Sequence, residues 1–267
     1  MIDPPGAVAM PATRPALRRV GHKGADAIVP GNTIESFHAA VEAGVDMIEL
    51  DVVRPRGDFA GADWRKAAAG PGRASGPLLV AHDWGDAERR PALTLPEALD
   101  AFSRPPLDTV EIDCDLKLAG REHEVVAALR ERDLLGRSMV STMEIPSLLE
   151  LRELEPSLRR GWTFPRITRA WDRKRWARPV VAGWLVTMRR RLPSLAKRKL
   201  PALGVAAMWI YEPLATSRLA RVCEAAGVEL IAWTVDDLAR IGTLQAMGVH
   251  GICTNDPRLL EGPARTM

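Results

Sequence analysis

Short apolar, β-branched runs alternate with helical patterns along most of the chain, and this alternation points to βα units and a parallel sheet. Strands are expected near 19–22 (RVGH), 46–52 (DMIELDV), 78–82 (LLVAH), 109–115 (TVEIDCD), 138–141 (SMVS), 159–163 (RRGWT), 204–209 (GVAAMW), 229–234 (ELIAWT) and 250–254 (HGICT). That is one strand more than a closed eight-stranded barrel needs. Residues 54–77, rich in Gly, Ala and Pro, offer no amphipathic helix, although a parallel crossover normally uses one to cover the sheet. The 78–82 run is therefore expected to pair antiparallel with an extension of the strand before it, within an insertion spanning about 54–108. Helices are expected over 33–43, 121–132, 145–154, 173–199 (broken by Pro179 and Pro193), 214–226 and 236–247. The resulting fold is α/β: a (β/α)8 TIM barrel over 18–262 with a small insertion after the second barrel strand, behind a disordered leader at 1–17.

With 46% hydrophobic and 27% charged residues, the composition is that of an ordinary globular chain. No apolar run approaches the roughly 20 residues that span a bilayer. Cys114, Cys223 and Cys253 are an odd set without CxxC spacing, which argues against a disulfide framework and a thiolate metal site. The first residues lack the apolar core of a signal peptide, so a cytoplasmic location is expected. The net charge of +3 is unevenly spread: residues 159–199 hold fourteen basic side chains against Asp172 alone, +13, leaving −10 for the rest. Trp162, Trp171, Trp176 and Trp184 lie in this tract. Tryptophan among cations suits a membrane interface, so peripheral contact at an inner membrane face through 159–199 is weighed against a solvated helical face. No nucleic-acid module is recognisable, and no nucleic acid is expected as a partner.

Barrel chemistry sits at the C-terminal strand ends, where His22, Glu49, Asp51, Asp113, Asp115 and Asp236 are expected. Glu49 and Asp51 are two apart and share one strand face. Two carboxylates turned inward would repel and lose hydration unless a cation relieves them, and hard divalent ions prefer such oxygens. Asp115 is a third candidate ligand from the next barrel strand, and Lys117 faces the same way. An ExD pair met alone is more often solvent-facing or salt-bridged, but DxDxK repeats a similar pattern on that next strand. Of five histidines, His38, His123 and His250 read as structural or exposed. His22 and His82 each end an apolar run ahead of a polar loop, and two histidines beside a metal form a general base and general acid pair.

These residues resemble the glycerophosphodiester phosphodiesterase family. GHKGA is similar to its His-Arg-Gly opening, PGNTIESF to its Pro-Glu-Asn-Thr segment, GVDMIELDV to its Glu-x-Asp strand and LLVAHD to its second-histidine strand. DLK is similar to its Glu-x-Lys strand end, and AWTVDD and GVHGICTNDP to its last two strands. The resemblance implies a (β/α)8 barrel with a small insertion after its second strand. It also implies hydrolysis of glycerophosphodiesters, or of lysophospholipids, to an alcohol and glycerol 3-phosphate or a lysophosphatidic acid, with Mg²⁺ or Ca²⁺ as cofactor. Carried over by position, His22 and His82 are the acid/base pair, Glu49, Asp51 and Asp115 the metal ligands, and Lys23, Lys117 and Trp233 the substrate contacts. The chain departs from the pattern at Lys23 (for arginine), Gly31 (for glutamate) and Asp115 (for glutamate). A catalytically weak barrel that binds phosphate-bearing lipid at a membrane surface is the alternative. A barrel isomerase or aldolase would want a Schiff-base lysine or glycine-rich phosphate loop, which WTVDD and CTNDP do not provide.

Overall fold

A computed structural model describes residues 16–55, 76–166 and 178–260. The expected leader up to residue 15, much of the insertion (56–75), Trp171 and Trp176 lie outside the described residues. Eight parallel strands close a barrel: β1 (Arg18–Gly21), β2 (Met47–Val53), β5 (Glu111–Leu116), β6 (Ser138–Thr142), β7 (Arg159–Phe164), β8 (Ala207–Tyr211), β9 (Glu229–Trp233) and β10 (Gly251–Thr254). Closure is made by β1 pairing with β10 on one side and β2 on the other, with Val20 opposite Met47. The surplus run is β3 (Leu79–Val80), antiparallel to the end of β2 with Val52 opposite Val80 and continued by β4 (Leu93–Thr94). It is the hairpin insertion expected after the second barrel strand.

Helices α1 (Ile34–Glu42), α2 (Trp84–Arg89), α3 (Leu95–Phe102), α4 (Glu122–Glu131), α5 (Ile145–Leu154), α6 (Arg178–Leu203), α7 (Ser217–Ala225) and α8 (Leu238–Met247) complete the described regular structure, with short 3₁₀ turns between. Start signals are local. Thr33, Thr216 and Asp237 each accept the amide three residues on, satisfying a donor the first turn leaves unpaired. Helix α3 was not expected. It opens with a capping box between Thr94 and Glu97, and it buries Leu95, Leu99 and Phe102, the last against Phe37 of α1 at 5.1 Å. Its buried face covers the sheet beside β2 and β3.

One further expectation is corrected. Pro193 does not break α6, which continues to Leu203. Residues 173–177, ahead of Pro179, lie outside the described residues, and Pro179 stands in the first turn of the described helix, where its missing N–H costs nothing. Around and past Pro193, Leu192, Ala196, Leu200 and Leu203 are buried against the barrel at helical spacing, and that burial offsets the lost backbone bond. Trp162, one of the four tryptophans of the basic tract, points outward from β7 and is buried in the same outer core as Leu148, Leu192 and Ala196.

Alternate residues fill the barrel in layers. At the N-terminal end, Arg18 binds Glu229 (2.9 Å) and Glu111 (2.5 Å), and Arg159 binds Glu111 (3.1 Å), all from alternating strands. Above them lie Val20, Met47, Met139, Trp209, Ile231 and Cys253. The three cysteines are buried and free. This apolar middle forms the floor of a polar mouth.

Candidate active site

On β2, Met47, Glu49 and Asp51 face the barrel axis while Ile48, Leu50 and Val52 pack against the outer helices. Register places Glu49 beside Asp113 and Asp51 beside Asp115. Ligand oxygens of Glu49, Asp51 and Asp115 all lie within 4.8 Å of one another. Lys117 turns back over them and pairs with both Asp51 and Asp115. With all of them ionised, three carboxylates and one ammonium would carry −2 in a buried space. This is the charge a divalent cation neutralises, and the donors are the hard oxygens such ions prefer.

The titration behaviour follows from that crowding. Burial and the Asp51 charge push the Glu49 carboxyl well above its ordinary range. Burial opposes ionisation of Asp51 as well, but the Lys117 ammonium outweighs it and holds Asp51 ionised. Burial alone would lower Lys117, yet Asp115, Asp51 and Glu49 together hold it well above the usual lysine range. One layer down, Asp113 accepts a 2.7 Å bond from Ser141 Oγ, and burial pushes its carboxyl far up.

The β1–α1 loop is shaped to serve these acids. Lys23 (φ 53°) and Asn32 (φ 59°) hold the left-handed conformation, uncommon for such residues and tolerated where surrounding structure over-determines it. Lys23 thereby donates its backbone N–H to Glu49 Oε2 at 2.9 Å. Asn32 clamps Asp51 twice, donating from Nδ2 to Oδ2 (2.8 Å) and accepting at Oδ1 from the Asp51 amide (3.1 Å). Gly24 (φ 89°) must be glycine, since a Cβ there would sit 2.5 Å from Ser36 Oγ.

His22, at the end of β1, contacts Asn255 Oδ1 through Nδ1 at 2.6 Å. Asn255 Nδ2 donates to Asp236 Oδ2 at 2.6 Å, and Asp236 Oδ1 also accepts from Thr254 Oγ1 and the Asn255 amide. Asp236 thus fixes the Asn255 amide with its oxygen toward His22. The His22 proton must then sit on Nδ1, leaving Nε2 as the free acceptor. Burial lowers the His22 pKa against the opposing pull of Asp51 and Asn255, so the imidazole is neutral.

His82 sits apart from this cluster. Its side chain is 56% exposed and its Nδ1 lies 3.2 Å from Asp83 Oδ2, on a cleft of about 230 Å³ that it lines with Lys23, Asp26, Gly31 and Arg90. It is near enough for its charge to act on Asp51. Trp233 is half-buried at the mouth with its ring tilted on Tyr211 at 5.7 Å. The Lys23 ammonium pairs with Asp26 at 2.5 Å. Gly31 donates to Asp26 Oδ1 at 2.7 Å, and a Cβ at position 31 would meet that oxygen at 2.6 Å. Asp26 therefore puts a carboxylate where a side chain at 31 would begin. Asp26, Asn32 and Asn255 carried no role in the sequence reading, and Asp236 was noted only for its place at a strand end. The cue for Asn32 lay in the Asn-Thr quoted before α1.

A cluster of carboxylates with a buried lysine and a neutral histidine, at the C-terminal mouth of a (β/α)8 barrel, defines an acid–base site for an anionic substrate. The sequence matches the glycerophosphoryl diester phosphodiesterase family over residues 22–56 and 92–259, and the chain belongs to that family. It is a phosphoric diester hydrolase. Among its relatives, a glycerophosphodiester phosphodiesterase of Caldanaerobacter subterraneus subsp. tengcongensis is 24% identical over 265 residues, covering 90% of this chain and 95% of the relative. The fold is similar to an Oleispira antarctica phosphodiesterase solved in complex with the product sn-glycerol-3-phosphate (TM-score 0.61, 19% identity, 91% and 94% of the two chains). It is also similar to the Thermotoga maritima glycerophosphodiester phosphodiesterase (TM-score 0.61, 15% identity, 92% and 97%).

Proposed function

We propose that this enzyme hydrolyses glycerophosphodiesters, including lysophospholipids, to an alcohol and glycerol 3-phosphate or a lysophosphatidic acid. The observation that carries the reading is the buried Glu49, Asp51 and Asp115 cluster beside a neutral His22 of defined tautomer. The donor set fits a divalent cation, Mg²⁺ or Ca²⁺, held by these three carboxylates. When bound, such an ion polarises a phosphoryl oxygen and offsets charge during displacement at phosphorus. Lys117, beside Asp51 and Asp115, adds a fixed positive charge for the phosphate. Lys23, paired with Asp26 on the cleft, faces the substrate's approach, and Trp233 offers an apolar wall.

His22 Nε2 takes the proton of the attacking hydroxyl as a bond to phosphorus forms and the bond to the alcohol oxygen breaks; attack by water gives the phosphomonoester directly, whereas attack by a substrate hydroxyl gives a cyclic phosphate that a water then opens in a second displacement. His82, on the open rim, gives a proton to that leaving oxygen. A barrel that binds without turnover is the weaker alternative, because Asp26 supplies the carboxylate that Gly31 lacks.

The test is glycerol 3-phosphate release from glycerophosphocholine with Mg²⁺ or Ca²⁺, with chelator, and by His22→Ala. Metal-dependent release that His22→Ala abolishes is expected. Release that ignores both treatments would remove the proposed site.

A further inference from the structure

Seven large apolar side chains are markedly exposed among the described residues, and five are on the mouth side of the barrel: Ile28, Val180, Trp184, Val186 and Leu238. Ile28 is in the loop after β1, Leu238 begins the helix after β9, and the other three belong to the start of α6. The position of α6 is set by Arg189, whose Nε donates to Pro213 O at 2.6 Å, in the turn just past the C-terminal end of β8. Since α6 runs back toward the N-terminal end of the barrel, Arg178–Met188 rises beyond that rim by about 16 Å at 1.5 Å per residue. From Pro179 to Arg191 no side chain is buried, although Leu185 and Met188 rest on the outer core. Val180 is 70% exposed and Val186 50%. Directly beneath this apolar tip comes Arg189-Arg190-Arg191, and α6 contains no acidic residue.

An apolar tip above a collar of arginines, on the face that admits substrate, has the chemistry of an interfacial anchor: apolar groups enter the acyl boundary while cations meet anionic headgroups. A second copy of this chain fits less well, because a two-fold contact sets each patch against itself and would bring the two arginine collars together. We propose that the barrel mouth docks on an anionic lipid surface, with Val180 and Trp184 entering the interface and Arg189–Arg191 against the headgroups. The enzyme then takes a phosphodiester-bearing lysophospholipid directly from that surface. The choice of substrate rests on the phosphodiesterase reading above, and the docking does not.

The experiment uses the full chain with vesicles of phosphatidylcholine alone or mixed with phosphatidylglycerol, and sedimentation as the readout. Binding to the mixed vesicles is expected, falling with salt. Val180→Glu/Trp184→Glu should abolish it, and each reversal in Arg190→Glu/Arg191→Glu should weaken it about fivefold or more. None of these residues touches the site, so turnover of soluble glycerophosphocholine should be unchanged while turnover of vesicle-borne lysophosphatidylcholine falls with binding. Equal sedimentation of wild type and variants, or none by wild type, overturns the docking. So does a dimer in light scattering that Val180→Glu/Trp184→Glu dissolves, which would assign the patch to a second copy. Vesicle binding without turnover of either substrate supports the docking and overturns only the phosphodiesterase reading.

Discussion

At the scale of single residues the site depends on groups that hold other groups still. His22→Ala should lower kcat by about 10²–10⁴-fold, the usual contribution of a positioned acid or base. Asn255→Leu is more diagnostic. Its Oδ1 accepts from His22 Nδ1 and so favours the imidazolium. Removing it lowers the His22 pKa further, and the acid limb of kcat/KM should move to lower pH while kcat falls because the tautomer is no longer held. A pH–rate profile with an unmoved acid limb would show that Asn255 does not act through His22. At Gly31, glutamate would restore the family residue but drive a Cβ into Asp26 Oδ1 at 2.6 Å. Gly31→Glu should destabilise by about 1–3 kcal/mol, measured by urea unfolding, and Asp26→Ala in the same chain should recover part of the loss. Glu49 and Asp51 were legible in sequence because strand period puts both on one face. The Asp236–Asn255–His22 chain was not, since its links span 19 and 233 positions and no local pattern encodes a contact made only when the barrel closes.

Among the elements, legibility followed how local the signal was. Helix α5 was expected at 145–154 and is found at Ile145–Leu154, starting at the Ile-Pro pair that suits a first turn. The β3 strand was placed antiparallel because the residues before it read as unable to cover a parallel crossover, and it does pair antiparallel with β2. The cover itself, α3, escaped notice because eight residues leave few repeats to read. In α6 Pro193 misled, since propensity is outweighed by tertiary burial. The same helix offers an internal comparison. Leu192 is fully buried on the barrel and Val180 is mostly exposed above it. Leu192→Ala should cost about 2–5 kcal/mol, whereas Val180→Ala should stay within about 0.5 kcal/mol. Urea midpoints for the two variants check this directly. A large loss at Val180 would mean that the tip is packed, and would weaken the interfacial reading with it.

Across the whole molecule the barrel treats its two ends differently. The N-terminal end pairs its charges, Arg18 and Arg159 against Glu111 and Glu229, and leaves no large imbalance. The mouth concentrates three carboxylates around one lysine, over an apolar floor that cannot screen them. Among the described residues no helix is long and apolar enough to cross a membrane. Holding like charges together at the mouth costs folding free energy, and a cation that binds only the folded arrangement returns it. At a hundredfold excess over Kd such binding adds about 2.7 kcal/mol, which for a chain of this size raises Tm by about 5–10 °C. Mg²⁺ or Ca²⁺ should therefore raise Tm in differential scanning fluorimetry and chelator should reverse it, with no substrate present. Asp51→Asn removes one charge and the partner of Lys117, and it should abolish most of the metal-dependent rise. If the cation raised Tm equally in Asp51→Asn and wild type, the stabilising ion would lie elsewhere on the chain, and the carboxylate cluster would have to be understood as a lysine-bridged network alone.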